Sequence, residues 1–332
     1  MTGILRTTFL TALSAAAFGA CATPEPAPAG PSSRFGAGWV LYPPGSDPAR
    51  EVSLQALKDE CIPKGWDRAK LETLKADKFA IADAAERETF AKDISTCLAS
   101  IDPWLRDGIA FEALTHFMRG RQLSDAAMRA LLVDQTARLQ APDPYGVGQP
   151  FAALALAEVA RADRVQAFLT EDERTRLLVD AQHWFINVED YRGFDDQDGW
   201  RHAVAHGSDL LMQLALNPKV DAEGLRLIVS AVGVQIAPEG HAYVHGESER
   251  LARPVLFAAA RGALSEAEWT EWLKAVATPK DADEVFASEA GLAWRNNAAG
   301  FLRALYVEVV AGSDPADDVL RSGLEAALKA LP

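Results

Sequence analysis

Cations are scarce in this chain of 332 residues. Lys and Arg number 33 against 47 Asp and Glu, giving a formal net charge of −14. Gripping nucleic acid requires a dense cationic footprint, so nucleic acid is excluded as the main partner. After the first twenty residues no apolar run is long enough for a membrane span, which excludes a multi-pass membrane protein. No run of alternating Val, Ile, Thr or Tyr is long enough for a sheet. Gly-x-Ser-x-Gly and the phosphate-binding loop are both absent, and Gly146-Val-Gly148 lacks the third glycine of a dinucleotide fingerprint. What remains is 49% hydrophobic and 24% charged, the balance of a folded globular chain and not of a disordered or collagen-like one.

The N-terminus reads as an address. Residues 1–20 form a secretory-type signal in which Arg6 is the one charge and an Ala-rich apolar run from Phe9 to Ala20 follows. Gly19 and Ala20 stand directly before Cys21, an arrangement that resembles a bacterial lipobox and implies cleavage and lipidation at Cys21. Residues 21–45 then form a Pro- and Ala-rich tether. The expected location is the bacterial cell envelope, lipid-anchored and facing the periplasm. Ala22, by resemblance to other lipoproteins, leans towards the outer membrane. Ordinary cleavage nearby, giving a soluble periplasmic protein, is the alternative. In an oxidising compartment a disulfide between Cys61 and Cys97 is expected, with two buried thiols as the rival.

Residues 46–332 read as one all-α domain. Ser124, Thr170 and Ser265 are N-cap candidates, and Glu173 and Glu268 complete capping boxes with the last two. Asp47, Asp102 and Asp314 each precede a proline at an expected helix start. The pattern predicts helices over 48–61, 67–75, 80–99, 103–119, 124–139, 150–163, 171–187, 199–215, 220–236, 246–261, 266–277, 287–311 and 315–330, with Pro254 kinking or delaying its helix. The last ten form five pairs whose first members start near 103, 150, 199, 246 and 287. That period of roughly 41–49 residues is that of an α-solenoid of stacked, armadillo- or HEAT-like helix pairs. A closed helical toroid or irregular bundle is the alternative.

Four of the six histidines fall between 202 and 245. His202, His206 and Asp209 have the spacing of one helix face. The next pair opens on His245-Gly-Glu-Ser-Glu-Arg250, so the two polar sets are expected side by side. Asp107, Gln149, His202, Arg250 and Asn296 recur at equivalent positions and place a polar group at the start of every first helix.

Asp190-Tyr-Arg-Gly-Phe, then Gly199-Trp-x-His-x-x-Ala-His-Gly-x-Asp-Leu-Leu, then Gly246-Glu-x-Glu-Arg-Leu resembles a bacterial family known as domain of unknown function 2785. Asp102-Pro-Trp-Leu-Arg-Asp-Gly-Ile-Ala-Phe-Glu-Ala-Leu114 resembles an earlier segment of it. The resemblance spans roughly residues 50–310. It implies an all-helical, armadillo-like fold and no known activity, substrate or catalytic residue.

Three readings of the cluster follow. A ligand- or protein-binding surface would centre on Arg192, His202, His206, Asp209, Glu247, Glu249 and Arg250, the arginines offering bidentate contacts to an anionic group. A metal-dependent hydrolase acting on an envelope substrate would hold a divalent transition metal on His202, His206 and Asp209, with Glu247 or Glu249 as base. The zinc-protease pattern is not met, because Ala203 stands where its glutamate belongs. A purely structural lock, with the charges pairing among themselves, is the third. The acidic stretch Asp195–Gly199 fails the calcium-loop pattern and reads as a solvated turn capping the next helix. The binding module is the favoured reading, its partner a protein or small molecule, and the chain leans away from being an enzyme.

Overall fold

The structure, a computed structural model, describes residues 58–312 and 315–332. The signal, Cys21, the tether, Asp47, Asp314 and most of the helix expected over 48–61 lie outside those residues.

The described residues form twelve α-helices: α1 (Arg68–Ala76), α2 (Ala84–Ile94), α3 (Glu112–Arg119), α4 (Asp125–Gln140), α5 (Gly148–Val165), α6 (Glu171–Ile186), α7 (Ala203–Ala215), α8 (Ala222–Gln235), α9 (Glu247–Ala260), α10 (Glu266–Val276), α11 (Glu289–Ala311) and α12 (Arg321–Ala330). First helices of successive pairs pack on one another, α3 on α5, α5 on α7, α7 on α9 and α9 on α11. A parallel row runs α4 on α6, α6 on α8, and α10 on α12, with Gly233 of α8 lying against the Trp272 indole of α10. These are the stacked helix pairs of an α-solenoid, each burying its apolar face only against its neighbours.

Thr170 and Ser265 close reciprocal capping boxes with Glu173 and Glu268, and Ser124 Oγ caps α4. Elsewhere local geometry departs from the expected spans. The helix expected from residue 80 starts at Ala84, behind the Asp83 cap, because Lys78 and Phe79 adopt left-handed backbone; it ends as a 3₁₀ turn, Ser95–Ala99. The span from 103 opens as a π-helix, Trp104–Phe111, with Asp102 Oδ1 accepting from the Trp104 N–H. Ahead of the helix expected from residue 150, Asp143 reaches across the turn to accept from the Gln149 N–H, 2.8 Å. The last span divides into a 3₁₀ helix, Pro315–Leu320, and α12. Pro254 sits inside α9, which starts at Glu247 without delay.

The core is deepest at α7, where all thirteen residues are buried. A helix apolar or enclosed all round belongs to a core and not to a surface. Burying Leu210, Leu211 and Leu214 contributes about 2 kcal/mol each relative to exposure. Gly207 allows α7 to approach α6 closely: a Cβ there would lie 2.3 Å from the Phe185 ring. At the N-terminal end Cys61 and Cys97 form a disulfide, their Cα atoms 5.0 Å apart.

Candidate functional site

The loop from α6 to α7 spans sixteen residues, 187–202, long for a connection in a packed array. Its centre is a two-residue ribbon, β1 (Phe194–Asp195) against β2 (Gly199–Trp200), antiparallel, with Phe194 opposite Trp200. The helix expected from residue 199 therefore begins only at Ala203. Asp195 Oδ1 accepts the Gln197 and Asp198 N–H groups, which closes the acidic turn on itself; it does not cap α7. Buried Arg201 holds this turn, with Nη1 2.5 Å from Asp195, Nη2 2.6 Å from Asp198 and Nε donating to the Tyr145 carbonyl. His202 follows in the left-handed region, φ 59°, and turns the chain into α7 with no side-chain cap.

His202 thus stands before the helix and not on it, yet it still meets His206, their ring centroids 5.7 Å apart. It stacks on Trp200 at 4.5 Å. Its Nε2 lies 3.0 Å from the His245 carbonyl and 3.7 Å from Glu247 Oε1. Glu247 is buried, accepts from the His245 N–H, and lies 3.8 Å from His245 Nδ1. The His245 ring packs so closely on Gly193 that a Cβ at that glycine would fall 2.1 Å from Nδ1. His206 is buried edge-on to Phe151, bonds to the backbone of Pro150, and leaves Nδ1 without a hydrogen bond.

One turn further along, both oxygens of Asp209 are taken by Nε and Nη2 of Arg250, which joins α7 to α9. Burial pushes the Asp209 carboxyl up, against the pull of Arg250. Arg192 lies outside this group. It forks onto Asp190, Nη2 at 2.5 Å, and remains half exposed. Glu249 is exposed, and no hydrogen bond or ion pair among the described residues includes it. Among the described residues no set of three His, Cys, Asp or Glu is arranged to hold a metal ion. Within His202, His206 and Asp209 the reason is local: Arg250 occupies the carboxylate and backbone carbonyls occupy one nitrogen of each ring.

Sequence reasoning overlooked Arg106 and Arg201. Arg106 is fully buried beneath the first pair, over the Phe151 ring, and bonds Asp107 and the Ser100 and Asp198 carbonyls. Burial, set against the Arg106 charge, raises Asp107 to about 6. Arg201 occupies a position at which the Gly199-Trp-x-His pattern specifies no residue.

Burial, then the Arg250 charge, lowers His202 to about 4, and burial holds His206 well below its ordinary range. Both rings are neutral at pH 7. Between pH 6.5 and 4 the unfolded chain takes up a proton that folded His202 refuses, so stability is full above that window and falls as the pH drops through it. The loss from His202 is about 2 kcal/mol between pH 7.5 and 5.0. Urea unfolding at the two pH values measures it, and His202→Gln should flatten the difference. An undiminished pH dependence in that variant would refute the assignment.

A family model described as Protein of unknown function (DUF2785) matches residues 137–307. No curated protein and no solved structure matches the chain. The matched span runs from the end of α4 into α11 and contains the whole histidine, Asp209, Glu247 and Arg250 cluster. Asp102–Leu114, which carried part of the resemblance, falls outside it.

Proposed function

From the premise that the chain belongs to the DUF2785 family, whose description assigns no activity, we propose that it is an envelope-anchored helical-repeat module that binds a partner along its inter-pair loops. The supporting observation is an exposed apolar edge. Tyr145, Phe194 and Val244 are 47%, 43% and 74% exposed on three successive loops. Arg201 and Arg192 join the first two loops through the Tyr145 carbonyl. The Trp200 ring, 5.0 Å from Phe194 and 6.0 Å from His245, joins the second and third. Exposed aromatic and apolar groups on loops pinned from beneath are how rigid scaffolds present a binding surface. In this reading the neutral histidines, Glu247 and the Asp209–Arg250 pair hold the loops in place, while Arg192 and Glu249 flank the edge. The signal-like residues 1–20 and Cys21 support a lipid anchor, and the Cys61–Cys97 bond fits an oxidising compartment.

Photo-crosslinking residues placed at Phe194 and at Val244 in host cells test the proposal, with Val133 on α4 as an exposed control. The expected result is one discrete adduct from each loop position, none from Val133, and loss from the membrane fraction on Cys21→Ser. Equal adducts from all three positions, or none from the loops, would sink it.

A further inference from the structure

The opposite edge of the array carries a different chemistry. Where α3 and α5 end and α4 begins lies a cavity of about 130 Å³. Its apolar wall includes Met118, Met128 and Phe168, the last held by Arg129, which stacks over its ring and bonds its carbonyl. Three arginines, Arg119, Arg121 and Arg161, line its polar side with Asp125 and Gln166. Arg119 is forked onto Glu158, Nε to Oε2 at 2.9 Å. The side chains of Arg121 and Arg161 make no hydrogen bond or ion pair among the described residues. Arg164, one turn on from Arg161, bonds only the neutral Gln213 side chain. Of the nearby acids, Glu158 is engaged by Arg119 and Glu173 by Arg129, which leaves Asp125 at the start of α4. Cations are therefore in excess here, in a chain whose overall charge is −14.

Burial, and then the Arg161 charge, hold the Arg164 guanidinium below its ordinary value against the pull of Glu158, so Arg161 at the cavity stands close enough to Arg164 to repel it. The N-terminus of the sixteen-residue α4 adds its own positive pole at the same place. Like charges gathered over an apolar wall, without a protein counter-charge for each, form a site for an anion that brings an apolar substituent with it.

We propose that this cavity binds an anionic amphiphile, its carboxylate or phosphate between Arg121 and Arg161 and the first carbons of its chain against Met118, Met128 and Phe168. The volume suits a head group and a few methylenes, and the rest of the chain would leave by the open mouth. This site is separate from the loop edge proposed above, and either reading can fail without the other.

Titration calorimetry of the full chain with decanoate, decyl phosphate, inorganic phosphate and decanol tests it. At least one of the two charged amphiphiles should bind with a Kd below about 1 mM, and whichever binds more tightly identifies the head group. Inorganic phosphate and decanol, each carrying half of the recognised chemistry, should bind at least tenfold more weakly. Arg121→Gln with Arg161→Gln should weaken the amphiphile at least tenfold, and Arg161→Lys less than Arg161→Gln. Met128→Gln, which leaves every cation in place, should weaken it as well. Decanol binding as tightly as the charged probes, unchanged affinity in the double variant, or no binding by either amphiphile would each overturn the proposal. An unchanged melting temperature in the variants establishes that the loss is local.

Discussion

Arg250→Ala should destabilise the protein more than Asp209→Ala, although the two residues form one ion pair. The asymmetry follows from burial. The Asp209 side chain is 4% exposed and that of Arg250 26%. Removing the arginine strands a carboxylate in the core, at a cost of about 3–5 kcal/mol. Removing the aspartate leaves a long cation already in partial contact with water, which can swing outward, and the loss should be nearer about 1–2 kcal/mol. Lowering the pH separates the two further. A stranded Asp209, already pushed up by burial, takes a proton more readily in the folded than in the unfolded chain. The penalty of Arg250→Ala should therefore shrink as the pH falls from 7 towards 5. Denaturant midpoints of both variants at the two pH values decide the matter. Equal losses at pH 7 would mean that the pair is not buried as described.

Breaking the Cys61–Cys97 bond should cost about 4 kcal/mol, the loop-closure entropy of a 36-residue separation. The closed segment carries α1 and α2 and the packing of Trp66 on Phe90, ring centroids 4.7 Å apart. Its contacts are few beside those of the α5–α7–α9 core, so the effect should concentrate in the N-terminal end. Cys61→Ala with Cys97→Ala, followed by equilibrium unfolding and amide exchange, should show early loss of protection in α1 and α2 while α7 stays protected. Identical unfolding with and without the bond would remove it as a stabilising element.

The repeat architecture was legible because it is written in local chemistry. Caps at Thr170 and Ser265 and apolar periodicity each act within a few residues, and the recurrence of helix starts gives the stacking. The same recurrence placed Asp209 beside Arg250, 41 residues apart. What stayed hidden has non-local causes. The late start of α7 depends on a ribbon of two residues per strand, too short for any period to register, and on His202 accepting left-handed backbone. Arg106 reads as one charge at the start of an amphipathic helix. Its burial is fixed by the Asp198 carbonyl, 92 residues away. Spacing brought His202, His206 and Asp209 together and left the pairing of Asp209 with Arg250 open as one reading, but it could not say that two backbone carbonyls would each claim a ring nitrogen.

That Arg106 bond has a consequence for how this protein can change over evolution. In most repeat arrays each unit touches only the next, so units are gained and lost with little penalty. Here the first pair reaches past the second to the loop that introduces the third, and Pro103 sits 3.0 Å from where a Cβ on Gly199 would be. Deleting or duplicating the second pair would pull that brace out of register and strip a buried guanidinium of one of its acceptors. Insertions should be tolerated only outside the braced segment, and the number of units within it is not free to drift.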